Sequence, residues 1–262
     1  MRRLLLFTFC CLHATWLAQA LTTTQNQRQH KVLVLGSTGF LGQEVVQQLD
    51  ALGLDHVDPT RQELDLLSSN AKDQVADICR NSKCTAVITC VGSLLGNDED
   101  ERINASNGQA ALGAQQSGCV DHFVSIGNDP KVRSFSKTVG FLKAYASGKE
   151  QAEEQIRDCF SGSYTIVSPT VIHGGQDLSL NPPRIPASVG GLAESVLGLY
   201  PFQSAADALP GVLGISLQAP ISKESMAKAC VHAALGLPQC QGDLDSRDAI
   251  LQAASKRPQK SL

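Results

Sequence analysis

Aromatic residues are scarce: one Trp, three Tyr and eight Phe in 262 residues. A core with so few rings must close on small and aliphatic side chains. Glycine and alanine are plentiful, which suits helices packed tightly over a parallel sheet. Strong charge of either sign is also missing. The formal net charge is -3 and no basic run extends beyond a few residues, so nothing suggests nucleic acid as a partner. No C-x-x-C pair occurs, which gives no support to a metal site. Nine cysteines less Cys10 and Cys11 near the start leave seven, an odd number, and Cys90 lies inside an apolar run. That pattern suits a reducing compartment better than a disulfide framework. No internal repeat is present, and no acidic residue precedes Glu44.

The first twenty residues, MRRLLLFTFCCLHATWLAQA, start basic at Arg2 and Arg3, turn apolar, and end in the A-x-A pattern Ala18-Gln19-Ala20. A spanning helix takes about 20 apolar residues, and His13, Thr15 and Gln19 spoil this stretch as an anchor. It reads as a cleaved signal peptide over 1–20. Residues 21–30, LTTTQNQRQH, are hydroxyl-rich and acid-free, like a transit segment. The two parts together resemble the leader that algae with complex plastids use. They point to an organelle reached through a signal peptide, a plastid first, with a mitochondrion or secretion as alternatives.

The folded part opens on Lys31 to Leu49, KVLVLGSTGFLGQEVVQQL. A β-branched and leucine run stops at Gly36, Gly39 and Gly42 follow, and an amphipathic helix begins with Val45, Val46 and Leu49 on one side. Strand, glycine turn and helix in that order form a cradle for a diphosphate. Gly36 permits the turn, Gly39 lets the backbone approach the anion, and Gly42 lets the helix lie close to the strand. The helix then aims its free N–H groups and positive dipole end at the ligand. The alternative is a turn that needs glycine for its shape alone.

Strand and helix signals then alternate. Leu54 to Thr60 is a weak second strand, damaged by Pro59, and a helix runs over about 71–80. Thr85 to Gly92, TAVITCVG, has the continuous apolar character of a buried parallel strand. A polar loop, NDEDER, leads to a helix from Ile103 to Ser117. DHFVSIG is a further strand, Thr138 to Asp158 a helix, and Tyr164 to Gly175 a strand running out into a loop. The alternation predicts an α/β fold, a doubly wound parallel sheet of Rossmann type over 31–175. Its ligand crevice should lie at the carboxyl ends of the strands. Residues 176–238 read as a small C-terminal substrate lobe with a returning strand and helix. There Ser222 caps a helix that ends near Gly236 and Pro238. Residues 239–262 read as a polar tail. Ala187 to Leu217 carries only Glu194 and Asp207 as charges. It is either a pair of packed lobe helices, or the lining of a pocket for an apolar substrate or a face touching a membrane.

Tyr145 and Lys149 stand four apart on a predicted helix and share a face. A nearby ammonium lowers a phenol's pKa and makes it a workable acid or base near neutral pH, and the lysine can also bond a nicotinamide ribose. An exposed tyrosine beside a solvated lysine is the bland alternative. Gly148, inside the motif, mildly disfavours helix, and a close backbone approach would account for it.

At this point the chain resembles the short-chain dehydrogenase/reductase superfamily in its atypical branch, over about Lys31 to Gly236. VLGSTGFLG is similar to the branch's cofactor turn, and YASGKEQAEE to its active-site helix. IVSPTVIHGG is similar to its L-R-P-G-x-x-Y-G strand end, with Ser168 where arginine is usual. QAPISKESMAKACVHAAL is similar to its returning P-V-x-V-x-D-V-A segment. GNDEDERINASNGQAAL resembles a helix start, G-N-x-x-x-x-x-R-I-N-x-x-A-N. That start marks a subgroup of plastoglobule-associated plant proteins, the Rossmann-type accessory subunit of respiratory complex I and a fungal accessory factor of coenzyme Q synthesis.

The resemblance implies that Gly36, Thr38, Gly39, Phe40, Leu41 and Gly42 wrap the pyrophosphate of a nicotinamide dinucleotide. Arg61 would meet the adenosine ribose, Asp65 and Leu66 the adenine, Gly92 the passing cofactor, and Pro169, Val171 and Ile172 the nicotinamide. No acid stands at Thr60, and Arg61's charge favours a 2′-phosphate, hence NADP, with NAD left open by Asp58. The superfamily's strand-end hydroxyl is displaced: Gly127 stands near its place and Ser125 two residues earlier, facing the cleft only if the register is kept. Two functions follow. One is an NADP-dependent oxidoreductase acting on an apolar, isoprenoid- or quinone-type substrate, with Tyr145 as acid/base, Lys149 as its tuner and Ser125 as helper. The other is a catalytically silent NADP-binding accessory protein that docks on a membrane or a partner complex.

Overall fold

The computed structural model describes residues 30–94, 99–175, 179–180, 183–197 and 217–256. Of the leader read over 1–30, residues 1–29 lie outside the described residues, as do residues 198–216 of the apolar stretch 187–217. A folded unit begins at Lys31. In chain order its elements are β1 (Lys31–Leu35), α1 (Phe40–Leu52), β2 (Asp55–Val57), α2 (Ala71–Ser82), β3 (Ala86–Thr89), α3 (Glu99–Ser117), β4 (His122–Ile126), α4 (Pro130–Ser136), α5 (Lys143–Cys159) and β5 (Ser163–Val167). There follow β6 (Ile172–His173), β7 (Ser179–Leu180), β8 (Pro183–Ile185), α6 (Ala187–Leu197), β9 (Ile221–Ser222), α7 (Lys223–Ala234), β10 (Gly242–Leu244) and α8 (Arg247–Ser255).

Six strands form one parallel sheet in the order β10–β5–β4–β3–β1–β2. Successive residues of β1 serve opposite faces. Val32 and Val34 pack with Val45 and Leu49 of α1, Met226 and Cys230 of α7 and Ile250 of α8. Leu33 turns the other way, onto Val75 of α2, Ala110 and Ala114 of α3 and Ile156 of α5. Burying each such aliphatic side chain contributes about 1.5–3 kcal/mol. Both faces are covered, which is why the strands read as apolar runs and the α/β doubly wound expectation holds. The chain leaves β1 for β2 on one side and crosses back to β3 on the other. This is the reversal that opens a crevice at the strands' carboxyl ends.

A second, four-stranded sheet, β7–β8–β6–β9, carries the small lobe. Several boundaries differ from expectation, each for a local reason. β2 stops at Val57, ahead of Pro59, which cannot donate to a ladder. α3 begins at Glu99, so part of the acidic NDEDER stretch is its first turn, where Glu99, Asp100 and Glu101 complement the helix dipole. α4 was not expected. Asp129 accepts from the N–H groups of Lys131 and Val132, and Pro130 opens the helix. Gly175 is no longer a domain edge either, because the main sheet takes its last strand from far beyond it. Residues 242–255 are not a tail: β10 pairs with β5, and α8 buries Ile250 and Ala253 against α7. The expected cap of α7 is present, with Ser222 Oγ accepting from Ser225 N at 3.1 Å. Among the described residues no helix is long and apolar enough to cross a membrane.

Candidate functional site

The glycine turn joins β1 to α1 at the mouth of the crevice. Gly36 has φ 79°, and a Cβ there would sit 3.1 Å from the Cys90 carbonyl carbon at the end of β3. At Gly42 a Cβ would lie 2.0 Å from Gly36 O, so the helix rests directly on the turn. Gly39 differs: a Cβ would touch only Gly36 O, at 3.2 Å, and would otherwise project into open space. No side chain caps α1 and no acidic residue stands in its first turn. This helix end suits an anion. Thr38 is exposed beside it, Leu41 is buried beneath, and Lys223 Nζ stands 5.9 Å over the Phe40 ring while pairing with Glu44 at 2.9 Å.

Arg61 lies beyond β2, its side chain 76% exposed and 3.8 Å from Asp65. Asp65 also accepts from Leu67 N, and Leu66 is buried. Asp58, the acid that keeps NAD open, is 3.6 Å from His56 Nδ1. Gly92 closes the crevice floor, where a Cβ would come 3.3 Å from Asn104 Oδ1 and 3.5 Å from Lys149 Nζ. Two asparagines hold this floor in shape. Asn104 Nδ2 donates to Ser93 O at 2.8 Å, and Asn107 Nδ2 to Val91 O at 3.1 Å, while Thr89 Oγ1 donates to Asn107 Oδ1. All three side chains are buried. The sequence named none of them singly, although the R-I-N stretch that contains Asn104 was the available signal.

Helix α5 brings Tyr145, Lys149 and Glu153 along one face, at spacings of four. It can approach α3 closely because Gly148 has no side chain: a Cβ there would lie 2.3 Å from Glu101 O. Lys149 Nζ donates to Ile126 O at 2.7 Å, between the ends of β3 and β4. Tyr145 Oη donates to Asn128 Oδ1 at 3.2 Å. The tuning differs from expectation. Burial pushes the Tyr145 phenol up to about 12, helped by the charges of Glu153 and Asp100. Burial also pushes the Lys149 ammonium down to about 8, against the pull of Glu153 and Cys90. Desolvation dominates, and the expected lowering of the phenol by the lysine is not found. Glu153 is 1% exposed, and burial raises its carboxyl, opposed by Arg133 at 2.6 Å and Arg157 at 3.4 Å.

Ser125 keeps the register the site needs. It pairs with Thr89 and Ile166 and alternates with Val124, so it shares the α5 side with Phe123 and is buried. Gly127, two residues on, cannot carry a hydroxyl here. A Cβ would lie 2.6 Å from Ile166 Cγ2, 2.7 Å from Ser168 Oγ and 2.8 Å from Glu153 Oε1. The residue that meets the phenol is Asn128, which sequence reasoning missed, because its bond to Tyr145 spans 17 positions.

The strand end passes from β5 into the small lobe. Pro169 O accepts from Asp129 N at 3.4 Å, Val171 O from Ile221 N at 2.9 Å, and Ile172 pairs with Ile221 and Arg184. His173 Nε2 is 2.7 Å from Glu194 Oε2, and Arg247 is 2.9 Å from the same carboxylate, tying α6 to β6 and α8. α6 leaves Val189, Leu192 and Val196 exposed at helical spacing.

The sequence matches no protein-family model and no curated protein. Solved structures do match in shape. A GDP-6-OMe-4-keto-L-xylo-heptose reductase from C. jejuni superposes with TM-score 0.51 at 13% identity, over 80% of this chain and 74% of that one. A GDP-D-glycero-L-gluco-heptose synthase from Campylobacter jejuni, solved in the presence of NADPH, gives TM-score 0.51 at 12% identity, over 79% and 74%. A dTDP-4-dehydrorhamnose reductase from Bacillus anthracis, solved with NADP, gives TM-score 0.47 at 18% identity, over 57% of this chain. The chain spans little more than half the length of that last protein, 56%. At these identities the likeness to the first two shows the Rossmann fold and no more.

Proposed function

We propose that this chain is an NADP-dependent oxidoreductase of the short-chain dehydrogenase/reductase superfamily that reduces the carbonyl of an apolar substrate. The observation that carries the reading is convergence. At one crevice meet an uncapped helix end on a glycine turn, Gly92 on its asparagine-braced floor, and the Tyr145/Lys149 face of α5. Gly39 leaves open the volume that a diphosphate needs against the backbone. When bound, reduced NADP supplies a hydride to a carbonyl carbon, and the oxygen's proton must come from the protein. Tyr145, whose phenol is protonated at neutral pH, lies on the face of α5 that meets this crevice and is placed to give it. Lys149 reaches the gap between β3 and β4, where it can hold a ribose hydroxyl. Arg61, exposed and only loosely held by Asp65, is free to turn to a 2′-phosphate, while Asp58 faces His56.

The exposed stripe of Val189, Leu192 and Val196 supports an apolar substrate of isoprenoid or quinone type, or a membrane approach by the small lobe. The R-I-N helix start supports the subgroup of plastoglobule and quinone-related proteins. The leader supports delivery to a plastid.

Gly127 favours a second reading, the silent NADP-binding accessory protein, because the superfamily's hydroxyl has no room there. Equilibrium dialysis of NADPH against the protein, followed by NADPH oxidation with menadione as an apolar carbonyl acceptor, tests both. The oxidoreductase predicts binding and turnover that Tyr145→Phe abolishes without loss of binding. The accessory role predicts binding without turnover. Absence of NADPH binding refutes both.

A further inference from the structure

We propose that Asn128 takes the place of the missing strand-end hydroxyl: its Oδ1 holds the Tyr145 O–H until substrate arrives, the O–H then leaves Oδ1 and turns to the substrate oxygen, and Nδ2 donates to that same oxygen. This rests on the reductase reading above and names a further residue of that site.

Three observations carry it. First, position 127 is closed to any side chain by Ile166, Ser168 and Glu153, so the hydroxyl cannot be supplied where the superfamily supplies it. Second, Asn128 is the next residue along and is 3% exposed, and its Oδ1 accepts from Tyr145 Oη at 3.2 Å. Third, its Nδ2 is buried without a hydrogen-bond partner. A buried amide N–H group left unpaired is expensive and rare, and such orphans collect where a ligand completes them. A carboxamide carries acceptor and donor side by side. An oxygen close enough to take the phenol's proton therefore arrives beside Nδ2. A donor already held in a water-poor site stabilises the growing negative charge of that oxygen without reorganisation.

The backbone of Asn128 is fixed from both sides. Its carbonyl accepts from Arg133 Nη2 at 3.1 Å, and the next residue, Asp129, caps α4. α4 thus holds the loop that carries the amide, and Arg133 returns to Glu153 under Gly127.

The test compares wild type with Asn128→Ala, Asn128→Asp and Asn128→Ser in the full chain, with NADPH as cofactor and menadione and acetophenone as carbonyl probes. Asn128→Asp keeps an acceptor for Tyr145 and loses the donor. Should its new charge beside Glu153 prevent folding, Asn128→Ala answers the same question. The expected result is unchanged NADPH affinity, with kcat down about a hundredfold in the Ala and Asp variants. Asn128→Ser, which restores a small donor, should recover part of the loss. A second readout needs no turnover. The ultraviolet titration of Tyr145 in cofactor-free protein should shift to lower pH in Asn128→Ala, because an acceptor that favours the neutral phenol is gone. Unchanged kcat in both variants with NADPH bound, or an unmoved Tyr145 titration, overturns the proposal alone. Wild type that binds NADPH and reduces neither probe overturns the reductase reading and this assignment with it.

Discussion

The guanidinium of Arg133 meets the carboxylate of Glu153 at 2.6 Å, beneath Gly127 and on the same helix face as Tyr145 and Lys149. Glu153 is buried while Arg133 is partly exposed, so the arginine brings charge to the carboxylate from the rim. Arg157 approaches the same oxygen at 3.4 Å and also reaches Asp243 of β10 at 3.2 Å. The helix that carries Tyr145 and Lys149, the unexpected α4 and the last strand are thus linked through one acid.

Removing one partner of a buried pair leaves the other charge stranded. Arg133→Met should therefore destabilise the fold by about 3 kcal/mol, the low end for such losses because Arg157 remains. Adding Glu153→Gln should return much of it, and urea unfolding of the two single variants and the double variant measures the coupling. The pH sign follows from burial. The folded state raises the Glu153 carboxyl above its usual 4.5, so the folded protein holds this proton more tightly than the unfolded chain. Its contribution to stability is fullest below the unfolded value and is lost as pH rises through the folded one. Glu153→Gln should flatten that decline.

Lys149 behaves oppositely. Its ammonium falls from 10.5 to about 8, so between those values the unfolded chain binds the extra proton and stability rises with pH. The buried thiols of Cys90 and Cys230, raised by desolvation, and of Cys79, raised by its bond to Cys84 and by desolvation, slope the other way above pH 9. The lysine is therefore read by difference: chemical denaturation at pH 7.5, 9 and 10 should show the stability gap between wild type and Lys149→Met move in favour of wild type as pH rises. Tyr145 adds a contrary slope only above pH 10, where its phenol stays protonated toward about 12 in the folded state. An ultraviolet titration in which Tyr145→Phe removes an ionisation near 10 contradicts the raised phenol.

Much of this was legible because it is local. The β1 run, the glycine turn and the apolar face of α1 lie within nineteen consecutive residues, Lys31 to Leu49, and each needs only its neighbours. The oddity of Gly148 inside a helix pointed correctly to a close backbone neighbour, though the sequence could not say that the neighbour was Glu101. What escaped is held by distant partners. β10 is three residues long and includes Asp243; it is a strand because β5 offers it a ladder. Gly127 read as a lost hydroxyl, and only the packing of Ile166, Ser168 and Glu153 explains why nothing larger stands there. The tuning of Tyr145 also depends on how deeply α5 sinks against the sheet. The spacing of Tyr145 and Lys149 carries no such information.

Helix proximity at the site is testable through two glycines. Gly148→Ala places a methyl 2.3 Å from Glu101 O, so α5 and α3 must separate. Overpacking of this kind costs about 1–3 kcal/mol, and the lost closeness should also weaken NADPH binding. Gly191→Ala, inside α6 with nothing within 4 Å of the new methyl, should instead stabilise the helix by about 0.5–1 kcal/mol. Thermal melting of both variants, with NADPH titration, checks the contrast. Equal effects at the two positions would contradict the α3–α5 contact.

The final strand and helix give the last prediction. A chain ending at Pro238 loses β10, the outermost strand beside β5, together with Ile250 and Ala253 of α8. Its loss uncovers Met226, Cys230 and Val231 of α7, which share that core, and exposes the hydrogen-bonding edge of β5. It also leaves Arg157 without Asp243, and Glu194 without Arg247. The shortened chain should fail to unfold cooperatively and should aggregate. A chain ending at Lys256, with every described element intact, should melt like the full length. If the two shortened chains melt alike, residues 239–256 belong after all to the polar tail read over 239–262, and the sixth strand contributes nothing to the sheet.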